Sequence, residues 1–189
     1  MESIQKTIEV EAPVRKVYNQ WTQFEEFPRF MEGVEQVQQI DDKHLHWVAE
    51  IGGKKKEWDA EIVDQQPDRR ISWHSTSGTR NSGVVCFQPK DSDHTLVTLE
   101  MYYEPEGAVE KTGDALGILS RRVEGDLERF REFIREHRTE TGAWRGEIRG
   151  REVKRADQSS QAGASHGNSK PGITIAPEYD SSGQSGLQK

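Results

Sequence analysis

Ile4, Ile8 and Val10 stand among polar neighbours in residues 3–11, the pattern of a half-buried strand. Ala12-Pro13 ends it and opens a helix, because proline at a first helical position has its φ preset and lacks only an N–H that would be unpaired anyway. From Pro13 to about Trp21, the residues Val14, Val17, Tyr18 and Trp21 recur at i, i+3, i+4 and i+7, which predicts a short amphipathic helix. Phe24, Phe27, Phe30 and Met31 continue at spacings of three and four, but Pro28 interrupts them, so a second short helix or turn with an aromatic face is expected. After Gly33 the period falls to two. Residues 34–41, 44–51, 57–63, 70–76, 83–88 and 95–103 then read as six strands, with Gly52-Gly53 supplying the positive φ of a tight hairpin. Connections this short favour an antiparallel meander over parallel crossover units.

The last periodic element is the longest. From about Gly107 to His137, Val109, Leu116, Leu119, Val123, Leu127, Phe130 and Ile134 make one stripe, while Arg121, Arg122, Glu124, Asp126, Glu128, Arg129 and Arg131 make the opposite face. Such a helix is about 45 Å long, enough to cross a whole domain. Beyond it, residues 139–155 form a short extension in which Trp144 and Ile148 are the residues able to dock, and residues 156–189 are Ser-, Gly- and Gln-rich. That tail is expected to be disordered, since it holds too little apolar surface to offset its ordering entropy. The expected organisation is a domain over 1–138, the extension over 139–155 and the tail over 156–189.

Composition narrows the function classes. The net charge of the 189 residues is −7, and the segment from Thr139 onward carries seven Lys/Arg against six Asp/Glu, so the body holds −8. An acidic body does not attract phosphate backbones by bulk charge, and no nucleic-acid partner is expected. The single cysteine, Cys86, excludes an intrachain disulfide and a cysteine-based zinc site. The start MESIQKTIEV lacks a secretory pattern and no apolar run approaches the ~18 residues of a membrane span, so a cytoplasmic location is expected, with no integral membrane segment.

Val10-Glu11-Ala12-Pro13, Val17-Tyr18-Asn19-Gln20-Trp21, Phe27-Pro28-Arg29-Phe30-Met31 and Gly33-Val34-Glu35-Gln36-Val37, followed by six strands and a terminal amphipathic helix, carry a family resemblance. Over about residues 3–138 the chain resembles the helix-grip fold of the START-related SRPBCC superfamily, and within it the bacterial polyketide cyclase/dehydrase-like group with relatives of coenzyme Q-binding proteins. The resemblance implies an α+β fold: a seven-stranded curved antiparallel sheet around a long C-terminal helix, with two short helices after strand 1. It also implies a cavity between sheet and helix that accepts an apolar or aromatic ligand. No cofactor follows from it. Folds of this kind host lipid carriers, hormone binders and aromatase/cyclases, so the fold does not choose among them.

The alternation places Trp47, Trp58, Ala60, Trp73, Phe87, Met101 and Tyr103 on the concave face, with Leu116 and Gly117 of the long helix opposite them. The tryptophans either fill the space under the helix or line a pocket and stack on a flat ligand. Gly113, Ala115 and Gly117 either slim the helix over a void or allow close packing, since each helical glycine costs about 1 kcal/mol relative to alanine. Trp21, Phe24, Phe27, Phe30 and Met31 are either a lid or membrane-docking edge, or packing on the sheet rim.

Several constellations lead nowhere. His44-x-His46 has no third metal ligand nearby, Cys86 has no histidine motif, and Lys54-Lys55-Lys56 reads as a solvated hairpin tip, with transient membrane or phosphate contact as its alternative. Asp59, Glu61 and Glu100 are expected to face outward, which leaves Tyr103 and Ser75 as the polar cavity groups. Such equipment suits orienting a ligand better than proton transfer. The expected function is therefore binding or carriage of a hydrophobic small molecule, such as a lipid, quinone or polyketide-like compound. The alternatives are a cyclase/dehydrase-type enzyme using Tyr103, and an interaction module using Trp144 and the tail. The pattern of residues does not fix an oligomeric state.

Overall fold

The computed structural model describes residues 2–104 and 113–156, the side chains of 113–116 excepted. β1 (Glu2–Val10) leads through Pro13, whose φ is −57°, into helix α1 (Val14–Trp21). A 3-10 helix (Phe24–Arg29) follows, held to that short form by Pro28. Then come β2 (Val34–Gln39), β3 (His44–Ile51), β4 (Lys54–Gln66), β5 (Arg70–Gly78), β6 (Asn81–Pro89) and β7 (Thr95–Tyr103). Helix α2 (Gly113–Glu136) and two short strands, β8 (Glu147–Arg149) and β9 (Glu152–Lys154), complete the described chain. Residues 107–112 of the expected long helix and 157–189 of the expected tail lie outside the described residues.

All strand pairs are antiparallel, in the order β1-β7-β6-β5-β4-β3-β2. Gly52 and Gly53, at φ 60° and 74°, make the β3–β4 hairpin turn as their sequence requires. Register shifts in β4, between Asp59 and Ala60 and between Ile62 and Asp64, bend this long strand and help curl the sheet.

Among the described residues the sheet has nine strands where the sequence pattern gives seven. β8 pairs with Asp64 and Gln65 of β4, just past the last β3 partner at Glu61, and β9 pairs with β8. Three-residue strands are too short to show a period of two, so alternation alone does not reveal them.

The closed end of the fold is aromatic. Phe130 of α2 is fully buried and meets Trp21 edge-on at 4.8 Å and Phe30 at 5.1 Å. Trp21, Phe24, Phe27 and Phe30 are at most 5% exposed, so they pack under the sheet rim and present no aromatic edge to a membrane. Lys16 of α1 donates to the Ile134 and His137 carbonyls at 3.1 and 2.6 Å, closing the C-terminal end of α2. Tyr18 accepts a hydrogen bond from Gln65 at 2.9 Å, and burial pushes its phenol up to about 12.

Candidate functional site

Between the concave sheet face and the first half of described α2 lies a cavity of about 300 Å³. Successive strands contribute Trp47, Trp58 and Trp73, and β7 adds Met101 and Tyr103. The helix side is Ile118, Leu119, Val123 and Leu127, with Arg122 and Asp126 beside them. Trp21, Phe24, Phe27 and Met31 close the inner wall, a contribution that reading those rings only as rim packing or a lid does not anticipate.

Each tryptophan is placed by its strand register. Trp47 and Trp58 are direct cross-strand partners, and their rings stack with centroids 5.5 Å apart and planes 11° from parallel. Neither indole N–H has a hydrogen-bond partner among the described residues. Trp73 donates its indole N–H to Asn81 at 3.2 Å and lies across Gly83, its cross-strand partner. A Cβ on Gly83 would come within 2.6 Å of the Trp73 ring and 2.7 Å of the Glu100 carbonyl, so glycine is what lets the indole lie flat on the sheet. Tyr103 donates its phenol proton to Glu2 at 2.9 Å.

Ala60, Phe87, Gly117 and Ser75, all expected at the cavity, stand elsewhere. Ala60 is 1% exposed, paired with Leu45 and Ser75 in the sheet, and does not reach the cavity wall. Phe87 packs edge-on against Tyr18 at 5.4 Å and Trp21 at 6.0 Å, in the solid closed end. Gly117 is exposed, and a Cβ built there meets none of the described residues within 4 Å. At about 100° per residue it points roughly 200° away from Leu119, which does line the cavity. The side chain of Leu116 lies outside the described residues. Ser75 accepts from the Asn81 backbone N–H at 3.0 Å and is not on the cavity wall.

Arg122 and Asp126, expected on the solvent face of the helix, turn instead to the cavity mouth. They flank the apolar stripe, three residues from Leu119 and Val123, close enough to reach the loop before β2. Arg122 donates to the Glu50 carbonyl at 2.7 Å and to the Glu32 carbonyl. Asp126 accepts from the Glu32 N–H at 2.7 Å and from Arg129, which also donates to the Phe30 carbonyl at 2.9 Å. These bonds clasp residues 30–33 and the β3–β4 hairpin to α2. Burial holds the Asp126 carboxyl above its ordinary range, against the lowering by the Glu32 N–H and Arg129. No periodic signal in the sequence marks this clasp; an i, i+4, i+7 run of charges on a helix ordinarily faces water.

Gly33 makes the clasp possible. Its φ is +69°, and a Cβ there would stand 2.6 Å from the Glu50 carbonyl and strike the Arg122 guanidinium. Gly33→Ala is therefore expected to lower the unfolding free energy by about 2 kcal/mol, combining the left-handed backbone cost with the clash. Urea denaturation reads this directly, and a variant as stable as the parent would show that the clasp tolerates a side chain.

On the convex face, Asp59 accepts from Ser77 at 2.6 Å and stands 2.7 Å from His46 Nδ1. The carboxylate separates serine from imidazole, so this trio lacks the serine–base contact of an activated nucleophile. The Ser77 hydroxyl, and then His46, hold the Asp59 carboxyl below its ordinary range. Burial pushes the Cys86 thiol up, away from thiolate chemistry.

Comparisons with known proteins agree with this geometry. A family model described as polyketide cyclase / dehydrase and lipid transport matches residues 10–147. An uncharacterised 17.2 kDa protein of Streptomyces lincolnensis, from the melC2-rnhH intergenic region, is 49% identical over 149 residues, covering 78% of this chain and 99% of its own. Among solved structures, the Zhui aromatase/cyclase of Streptomyces sp. R1128 aligns with TM-score 0.63 at 15% identity, over 71% of this chain and 94% of that one. A START superfamily protein of Mycobacterium smegmatis aligns with TM-score 0.54 at 20% identity, over 67% and 97%. At these identities the solved structures speak for the shared helix-grip fold. No helix among the described residues is long and apolar enough to cross a membrane.

Proposed function

Because the chain belongs to the polyketide cyclase/dehydrase and lipid transport family, we infer that its cavity binds and carries a hydrophobic small molecule, a lipid, quinone or polyketide-like compound. One observation carries this reading. The cavity is walled mainly by aromatic and aliphatic side chains, and its phenol and carboxyl groups already have partners: Tyr103 with Glu2, Asp126 with Arg129 and the Glu32 N–H, Glu104 with Arg80. A general acid or base needs a proton free to move toward the substrate, whereas a carrier needs apolar surface and a few fixed polar groups. At about 300 Å³ the space lies at the small end for ligand pockets, suited to one acyl chain or a two- to three-ring system.

Native mass spectrometry of the purified chain, followed by solvent extraction, tests the reading. The expected result is a one-to-one complex with an apolar molecule, and quenching of tryptophan fluorescence when the emptied protein takes up a naphthoquinone, since Trp47 and Trp58 lie on the wall. A chain that arrives empty and takes up neither quinones nor any of a lipid panel is not a carrier.

A cyclase/dehydrase reading is favoured by Asp126, a cavity-wall carboxyl raised by burial, as general acids are. It requires turnover of a polyketide-like substrate that Asp126→Asn removes while Tyr103→Phe leaves it intact.

A further inference from the structure

Arg122 is a cation at the mouth of a mostly apolar cavity, whose lining also includes Lys56 of the β3–β4 hairpin, and no carboxylate stands within ion-pair distance of Arg122 among the described residues. The carboxylates around it make their bonds elsewhere, although Asp126, one turn along the helix, also feels its charge. Asp126 holds Arg129 and the Glu32 N–H, Glu32 faces Arg129 at 3.5 Å, and Glu35 faces Lys55 at 3.5 Å. Glu50 is exposed on the rim, where water screens it. Arg122 uses two of a guanidinium's five N–H donors, both on backbone carbonyls, which fixes the plane of the group and leaves the other three unspent among the described residues. A held guanidinium with donors to spare matches the two oxygens of a carboxylate, the partner its fork geometry fits best. It also lines both the cavity and the shallow depression outside it, so it stands where a ligand's polar end would meet water.

We propose that the ligand is an amphiphile with a carboxylate head, its apolar body among Trp47, Trp58 and Leu119 and its head on Arg122. This rests on the carrier reading above and adds the charge and the orientation of the guest. Arg122 then acts as a specificity determinant at the mouth, a role separate from its clasp on the Glu32 and Glu50 carbonyls.

The test compares cis-parinaric acid with its methyl ester, two probes of the same apolar body, one with the anionic head and one without. The parent chain is expected to bind the acid at least about tenfold more tightly at neutral pH and low salt, as one charge-assisted hydrogen-bond pair provides. Rising salt should shrink that ratio. Arg122→Gln should bring the acid-to-ester ratio down to about one, and Arg122→Lys should keep part of the preference. Arg121→Gln, one position along the helix, should leave the ratio unchanged. A merely structural role for Arg122 moves both probes together and leaves the ratio intact, which would overturn the proposal. So would equal binding of acid and ester by the parent chain, a comparison that needs no variant to fold. Uptake of neither probe counts against carriage itself, whereas uptake of both with equal affinity removes only the carboxylate assignment.

Discussion

Ending the chain at residue 138 is expected to cost about 5 kcal/mol or more of unfolding free energy, a large part of what a domain this size possesses. The reason lies in α1 and its C-terminal cap, which bury three polar side chains, Asn19, Gln20 and Thr22, to 2%, 1% and 2% exposure. The segment after α2 supplies partners for each. Glu140 accepts from Asn19 at 2.8 Å, and Thr141 exchanges bonds of 3.0 and 2.9 Å with Gln20. The Trp144 N–H donates to Thr22 at 3.0 Å. Arg145 donates to Asn19 at 2.8 Å and grips Asp68 with two bonds of 2.9 and 2.6 Å. Ile148 is fully buried and β8 extends the sheet beside β4. Burial of one such isoleucine contributes about 2 kcal/mol, and each hydrogen bond to a charged group about 1.5 kcal/mol or more.

The control is a chain ending at Arg155, which keeps every one of these contacts and should match the full chain. Urea or thermal denaturation of the two truncations decides the matter. A 1–138 chain that unfolds at the same midpoint would mean that the strap only rests on the body. Trp144, which the sequence offers as a partner-recruiting residue, donates its indole N–H to Asp42 at 3.3 Å and packs against the core, so it is engaged within the domain.

The second large effect concerns the cavity. Leu119→Trp should reduce uptake of a hydrophobic probe by more than tenfold, with little loss of stability, because the larger ring enters space that is empty rather than packed. Gly117→Leu, at a position the sequence pattern sets opposite the tryptophans, should leave uptake unchanged, since a Cβ there meets none of the described residues within 4 Å. Replacing that glycine by alanine should even stabilise the helix by up to about 1 kcal/mol. Titration of a fluorescent apolar probe into the three variants separates the outcomes. Loss of binding in Gly117→Leu, with Leu119→Trp unaffected, would place the cavity on the other side of the helix.

Much of the site was legible because strand alternation is a strictly local signal. Trp47, Trp58, Trp73, Met101 and Tyr103 converge on one face for the same reason that Gly52-Gly53 turns the hairpin: neighbouring residues dictate both. Phe87 shares that alternation and still misses the cavity, because a curved sheet has a packed end and an open end, and alternation reports the face but not the position along it; Ala60, between the wall residues Trp58 and Ile62, sits at the register shift after Asp59 and carries only a methyl group.

The sequence by itself determined β1 to β7 and the helices, the antiparallel meander from β2 to β7, the apolar stripe of α2 and the inward set of tryptophans, since each follows from periods of two or 3.6 and from turn chemistry. Only the tertiary structure decided which edge of the stripe faces the mouth. Arg122 and Asp126 border that stripe, and their burial depends on the loop at Gly33 and the hairpin at Glu50, which are distant in the chain. It also decided that 140–149 completes the domain, because the polar side chains of α1 look solvent-facing until their partners arrive from more than a hundred residues away. Hydrogen bonds between such distant segments have no period, and a periodic reading has no means of finding them.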